Sequence, residues 1–414
     1  MMVWPMVVAA VVSAVCAVVG TMLVVRRMSL LGDAIGHGVL PGIVVAVLAG
    51  GRPGGMLSTF GAVAAAILTV WAADAVRRRA RLSEDAAAGV VFTTFFAAGV
   101  VLISLYASRV DLDPGCVLHG ILELAAADTV SILGIMVPRP LVNGLVALAV
   151  VASFLAATWP AQVFAAFDTD AARVVGAPVG FATMGLLAMT AVATVASFEA
   201  VGAVLVVAML VVPAATAELL FRSLGRVMAA AVVIAVASAV AGYLAAWRWN
   251  TSAAGMIAVV LGLGYLAAVL AAPGGGIIPR LVGKAWLAWR VACEDVLAQA
   301  WRREEAGGAV PTVPNGLLAS FAASWLRLRG KIDGPRDRPV LTDAGRGEAE
   351  TIVRSHRLWE AWLGRNVELP LDHLHPPAEW VEHYLGADAR KRIEEEVGAA
   401  SSDPHGREIP TEPG

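Results

Sequence analysis

Long apolar runs recur along the first two thirds of this chain, and they constrain its fold more than any other feature. They read approximately as 3–25, 33–51, 56–76, 86–106, 142–164, 182–198, 200–220, 227–247 and 253–272. A helix of roughly 20 residues spans a hydrocarbon core about 30 Å thick. In hydrocarbon each backbone N–H and C=O must be satisfied within the protein, so such runs fold as helices. The expected fold class is an all-α polytopic membrane protein with about nine transmembrane helices. The apolar stretch from Met1 to Val25 has no basic residues ahead of it and outruns a signal-peptide core, so it reads as the first span.

Composition agrees. The chain is 58% hydrophobic with a mean hydropathy of +0.73, above the apolar share of ordinary soluble domains. Charged side chains are sparse before residue 272 and dense after it. Basic residues cluster at Arg26 and Arg27, at Arg77, Arg78, Arg79 and Arg81, and at Arg222 and Arg226. Short basic loops stay in the cytoplasm. Nine spans with an outside N-terminus put all three clusters inside, Asp111 and Asp113 outside, and both the 165–181 loop and the C-terminal tail inside. The pairs Gly32/Gly36 and Gly38/Gly42 allow close helix approach in lipid, although a general bias toward small residues explains them equally well.

Pro273 and Gly274-Gly275-Gly276 mark the change to a soluble sequence. The expected division is a transmembrane domain at 1–272, a linker at 273–289 and a cytoplasmic, mainly helical domain at 290–410. The net charge of −2 excludes bulk nucleic-acid binding. Three scattered cysteines, Cys16, Cys116 and Cys293, form neither a disulfide framework nor a zinc motif. No GxxxxGK[ST] loop occurs, so any ATP-driven work needs a partner.

Asp33 and His37 share one helix face at i,i+4. Ionisable groups inside a membrane are costly and face a polar path or each other. Carboxylate plus imidazole suits manganese, zinc or iron, and a hydrogen-bonded pair that only packs helices fits the spacing equally. The segment Arg26-Arg27-Met28-Ser29-Leu30-Leu31-Gly32-Asp33-Ala34-Ile35-Gly36-His37 resembles a motif of the ABC permease family for manganese, zinc and iron uptake. So do Asp111-Leu112-Asp113, the stretch from Phe167 to Gly176, and Ala200-Val201-Gly202 through Pro213-Ala214-Ala215-Thr216-Ala217. The resemblance implies that Phe167, Asp168, Asp170, Ala171, Arg173 and Gly176 form the element that docks on an ABC ATPase subunit. It places Asp33 and His37 at the metal path, with Asp111, Asp113 and Glu199 as weaker candidates. It further implies a bacterial cytoplasmic (inner) membrane location, a second permease subunit (identical or a paralogue) and an extracytoplasmic metal-binding protein.

The tail holds five of the seven histidines. His356 and Glu360 lie at i,i+4, and His375, Glu379, Glu382 and His383 fall at i, i+4, i+7 and i+8. Such faces serve as metal sites or as solvated helix surface. The segments from Leu341 to Arg346, Ser355 to Glu360, His375 to His383 and Asp403 to Pro410 resemble the iron- and manganese-dependent repressors, implying a winged-helix-like and dimerisation domain. By that resemblance Glu379, Glu382 and His383 match the primary metal site, His356, Glu360 and His375 match the second, and Asp295 matches an N-terminal ligand. Glutamate at 379, an oxygen ligand, leans toward manganese over iron or zinc. Prolines interrupt 310–335, where a recognition unit belongs, so DNA is not an expected partner. The reading is an importer permease with a metal-sensing tail; its alternative is a membrane-tethered, metal-dependent transcription regulator.

Overall fold

The apolar runs form helices. The computed structural model describes residues 3–28, 32, 34, 36, 38–51, 56–106, 122, 128–132, 134–273, 275–307, 316–335, 338–367, 386–398 and 402–410. The chain divides into two units, Met1–Pro279 and Arg280–Gly414.

In the first unit the helices are α1 (Val3–Val25), α2 (Leu40–Leu48), α3 (Met56–Ala80), α4 (Glu84–Tyr106), α5 (Arg139–Phe167), the short α6 (Thr169–Val174), α7 (Val179–Leu220), α8 (Leu224–Trp249) and α9 (Ala253–Ala271). Among the described residues, seven stretches are long and apolar enough to cross a membrane: Val3–Val25, Leu57–Ala80, Ala86–Tyr106, Arg139–Phe167, Val179–Phe198, Leu224–Trp249 and Ala253–Ala271. Val204–Leu220 is a shorter apolar helix. The expected span at 33–51 is described only in part, with α2 as its regular portion. The expected spans 182–198 and 200–220 form α7, whose regularity breaks at Gly202. A feature the apolar pattern did not announce is the antiparallel hairpin of β1 (Thr129–Ile132) and β2 (Ile135–Pro138), turning at Gly134 with φ +83°.

Helix α1 is the hub and packs against α5, α7 and α8. Val8, Ala9, Cys16, Val19 and Met22 are fully buried on it. Lipid is as apolar as these side chains, so association depends on close contact rather than on escape from water. Gly20 supplies that contact: a Cβ there would stand 1.8 Å from the Leu210 carbonyl oxygen. Gly42 and Gly61 do the same between α2 and α3, a Cβ on Gly42 lying 2.1 Å from the Gly61 oxygen.

The second unit contains most of α10 (Ile277–Glu305), then α11 (Leu317–Leu328), the hairpin β3 (Ile332–Asp333) with β4 (Val340–Leu341), α12 (Asp343–Asn366) and α13 (Ala387–Val397). Much of the stretch expected as linker, 273–289, is thus helix: only the Pro/Gly run interrupts the backbone, and apolar and basic residues interleave after it. One core gathers Val296, Leu297, Ala322, Leu326, Ile332, Leu341 and Ala349. A second gathers Leu358, Ala361, Ile393, Val397 and Ile409. Thr342 caps α12 by accepting a hydrogen bond from the Gly345 N–H at 3.2 Å, while its own hydroxyl donates to the Gly330 carbonyl at 2.7 Å.

Gly20→Val forces a branched side chain into the Leu210 backbone, and overpacking of this kind costs about 1–3 kcal/mol or more. The variant is expected to melt well below the parent in detergent, whereas Gly262→Ala, which meets open space, is expected to match it. Equal melting of the two variants in a thermal-shift assay would show that this contact does not hold α1 in place.

Candidate functional site

Two places in the fold bring polar groups together, one in each unit. In the first unit, the glycines around the Asp33/His37 motif are buried between two helices. A Cβ on Gly36 would meet Phe198 Cζ at 3.1 Å, and one on Gly32 would meet Leu210 Cδ1 at 3.2 Å, both on α7. A Cβ on Gly38 would meet Thr69 Oγ1 of α3 at 2.4 Å. Asp33 and His37 themselves lie outside the described residues, as do Asp111 and Asp113.

Opposite this segment α7 is not continuous. Gly202 has φ +76° and ψ 165°, a conformation open essentially to glycine alone. Glu199 falls three residues before the break; only its backbone is described. Discontinuous helices at membrane depth expose backbone groups to a cavity or ion path. Leading to the break is a ladder of buried hydroxyls: Thr190, Thr194 and Ser197 donate to the carbonyls of Leu186, Thr190 and Ala193 at 2.8, 2.7 and 2.6 Å. Ser197 Oγ also lies 3.4 Å from Cys16 Sγ of α1. Sequence reading singled out neither the ladder nor the break, although Gly202 sits inside a quoted motif. The spacing of hydroxyls at i, i+4 and i+7 was the available signal.

At the end of α1, Arg26 Nη1 donates to Gln162 Oε1 at 3.2 Å and Nη2 to Thr183 Oγ1 at 3.0 Å. Gln162 is fully buried and donates onward to the Ala182 carbonyl at 2.9 Å. This network ties α1, α5 and α7 together beside α6. Asp168 caps α6 by accepting from the Asp170 and Ala171 N–H groups, each at 2.9 Å, and Asp170 pairs with Arg173 at 3.0 Å. Gly176, at φ +81°, ends the turn. Ala172 is buried against Ala165 and Val179, so the helix is anchored by one small residue. Its flanks expose Phe167, Val174 and Val175 at 80%, 88% and 75%. Beside it opens a cavity of about 310 Å³ lined by Arg26, Asp74, Arg77, Arg78, Thr169 and Arg173. The residues expected to form the coupling element therefore stand together, at the same end as two of the basic clusters.

In the second unit, His356 Nε2 and Glu360 Oε1 lie 3.1 Å apart on α12, both nearly inaccessible to solvent. Burying an imidazole and a carboxylate is costly unless they are paired. The next residue, Arg357, is buried too; it forms a forked pair with Glu305 of α10, donates to the Glu408 carbonyl and approaches Asp403 Oδ2 at 4.0 Å. Asp403 Oδ1 accepts from the His405 and Arg407 N–H groups at 2.9 and 2.8 Å. The Asp403-to-Pro410 motif is thus a turn anchored on α12.

His375, Glu379, Glu382 and His383 lie outside the described residues, and Asp295 sits on α10. Among the described residues no three His, Cys, Asp or Glu side chains are placed to hold a metal. Burial pushes the Cys293 thiol up, with the neighbouring Glu294 carboxylate adding to the effect, so at neutral pH this group is a thiol rather than a ligating thiolate.

Residues 1–272 match the family model of the ABC 3 transport family. Residues 342–411 match that of the iron dependent repressor, metal binding and dimerisation domain. The manganese transport system membrane protein MntD of Bacillus subtilis is 38% identical over 271 residues, 64% of this chain and 90% of that protein. The zinc transport system membrane protein TroD of Treponema pallidum is 34% identical, over 66% of this chain and 74% of its own length. The chelated iron transport system membrane protein YfeD of Yersinia pestis is 33% identical, over 64% and 83%. The solved structure of PsaBC from Streptococcus pneumoniae in complex with Fab superposes with a TM-score of 0.57 at 25% identity, covering 68% of this chain and 94% of that one. The family model covers residues 1–272, and the transport-system membrane proteins align along nearly the same stretch: the chain belongs to the ABC 3 transport family.

Proposed function

We propose that the chain is the permease subunit of an importer for a divalent transition metal, with manganese favoured and zinc or iron(II) as alternatives. The observation that carries this reading is the close approach of Gly32 and Gly36 to α7 on either side of its break at Gly202. The motif's carboxylate and imidazole, Asp33 and His37, are assigned to the metal path there, with Glu199 close by in sequence to the break. Asp111 and Asp113 are assigned to the extracytoplasmic entrance. Relatives named for manganese, zinc and chelated iron transport support the substrate class.

Energy comes from a separate ABC ATPase docked on α6. The exposed Phe167, Val174 and Val175 offer apolar anchors, and Arg77, Arg78 and Arg173 supply a basic rim. The Arg26–Gln162–Ala182 network links that docking point to α1, α5 and α7. An extracytoplasmic metal-binding protein delivers the ion, and a second permease subunit, identical or a paralogue, completes the pathway. On this topology the C-terminal unit is cytoplasmic. His356, Glu360 and His375 form one metal site there, and Glu379, Glu382 and His383, with Asp295, form another. Accumulated metal then binds the tail and slows uptake, a coupling between two sites.

In proteoliposomes containing the partner ATPase, Asp33→Ala and His37→Ala are each expected to reduce ATP-driven manganese uptake roughly tenfold or more, the scale seen when metal-site shells are disrupted. Parental uptake rates in both would remove these residues from the path. Asp168→Ala removes a helix cap worth about 1 kcal/mol and is expected to raise the number of ATP molecules hydrolysed per ion moved. An unchanged ratio would mean that α6 does not transmit the stroke. For the tail, calorimetry on the full chain is expected to show roughly 10–100-fold weaker manganese binding in Glu360→Gln, together with loss of inhibition by manganese loaded inside the vesicles. Inhibition that persists undiminished would end the sensing assignment.

A further inference from the structure

Two helices of the second unit present apolar side chains to solvent on one connected surface. Leu281, Val282 and Trp286 on α10 are exposed, and so are Leu317, Leu318, Phe321, Trp325 and Leu328 on α11. Phe321 is 65% exposed and Leu328 84%. Positions 282, 286, 289 and 293 follow one helical stripe, and 318, 321, 325 and 328 another. The stripes meet where the Trp289 and Trp325 rings approach edge to face at 6.5 Å, around a cavity of about 250 Å³ lined also by Trp286, Arg290 and Arg329. A contiguous apolar surface of this kind on a soluble unit marks a contact site.

Charge and connectivity identify the occupant. Between 277 and 293 the only charged residues are Arg280, Lys284 and Arg290, and between 316 and 332 they are Arg327, Arg329 and Lys331. Glu294 and Glu348 line the same cavity, paired with Arg290 and Lys331. Arg280, Lys284 and Arg329 beside aliphatic and tryptophan side chains on one face are the make-up of a helix lying in the headgroup region of an anionic bilayer. Guanidinium groups stack on the same indoles, Arg290 over Trp286 at 5.5 Å and Arg329 over Trp325 at 4.8 Å. The last apolar helix ends at Ala271 and α10 begins at Ile277, so at most about 20 Å of extended chain separates this surface's helix from the end of the last span. Nucleic acid fits poorly. A recognition helix meets base edges with polar side chains, whereas α11 exposes leucine, phenylalanine and tryptophan. Of its basic neighbours, Arg327 donates to the Gly334 carbonyl and Lys331 pairs with Glu348.

We infer that the α10–α11 surface docks on the anionic lipid of the bilayer into which the same chain is inserted, holding the metal-binding unit against the membrane. The test uses the full chain with Cys16, Cys116 and Cys293 replaced by alanine, reconstituted in phosphatidylcholine discs containing phosphatidylglycerol. A nitroxide is placed by Phe321→Cys and, separately, by Leu328→Cys; both side chains are exposed, so neither change empties a core. Power saturation is expected to show high collision with oxygen and exclusion of a nickel chelate at both labels. Free access of the nickel chelate would overturn the inference by leaving the face in water. Exclusion of both relaxants would overturn it in favour of a protein partner, and nickel access lost only on adding duplex DNA would assign the face to nucleic acid.

Discussion

A bilayer gives apolar side chains no incentive to leave it, so the helical unit depends on how closely its backbones can approach. The governing contact is Gly20 of α1 against the Leu210 carbonyl of α7. No side chain fits there, and the contact fixes the register of α1 against the second half of the broken helix. With that register set, Cys16 faces Ser197, Ser13 donates to Met209 Sδ at 3.3 Å, and Arg26 reaches Gln162 and Thr183. One close approach therefore positions both the polar ladder before the break and the network beside α6. Glycine is the residue that permits the approach, and its position is set by packing rather than by any chemistry of its own.

Much of this was legible in the sequence. Length and apolarity placed the spans, because in lipid the backbone has few alternatives to helix. The pairs Gly32/Gly36 and Gly38/Gly42 were readable as small-residue contacts, and they meet α7 for the first pair and α3 and Thr69 for the second. What could not be read was which helix each pair would face, since that depends on long-range packing. The break at Gly202 looked like an ordinary boundary between two runs separated by Glu199. Its geometry requires a positive φ that only the folded chain reveals. The hairpin at 129–138 escaped notice because alternating patterns are weak in so short a stretch beside long apolar helices. Of the named site residues, those of α6 come together in space, and His356 with Glu360 forms a buried pair.

In the second unit, the residues that made the tail recognisable divide into two kinds. Thr342, Gly345, Asp403 and Arg407 carry structure: a cap, a close approach to the Lys331 carbonyl at 2.0 Å from an imagined Cβ, and an anchored turn. His356 and Glu360 are different, because a packed helix gains nothing from burying an imidazole and a carboxylate that apolar side chains would not supply more cheaply. The region where a recognition unit belongs by the resemblance, and from which no DNA binding is expected, has a helix followed by a hairpin, and the exposed face of that helix is hydrophobic. Its inner face is held by the core residues Ala322, Ala323 and Leu326, which say nothing about what the outer face meets.

The carboxylates Glu304 and Glu305, adjacent at the end of α10, grip α12 at two points, through Arg346 at 2.6 Å and through Arg357. Two such grips a few turns apart tie the direction of α12 to the end of α10. Helix α10 has 29 residues, which at 1.5 Å per residue is a lever arm of about 43 Å. A tilt of roughly 5° over that length displaces one end relative to the other by about 4 Å, less than the roughly 5.4 Å rise of one helical turn. The orientation of α12 around His356 and that of the gripped end of α10 are therefore set together.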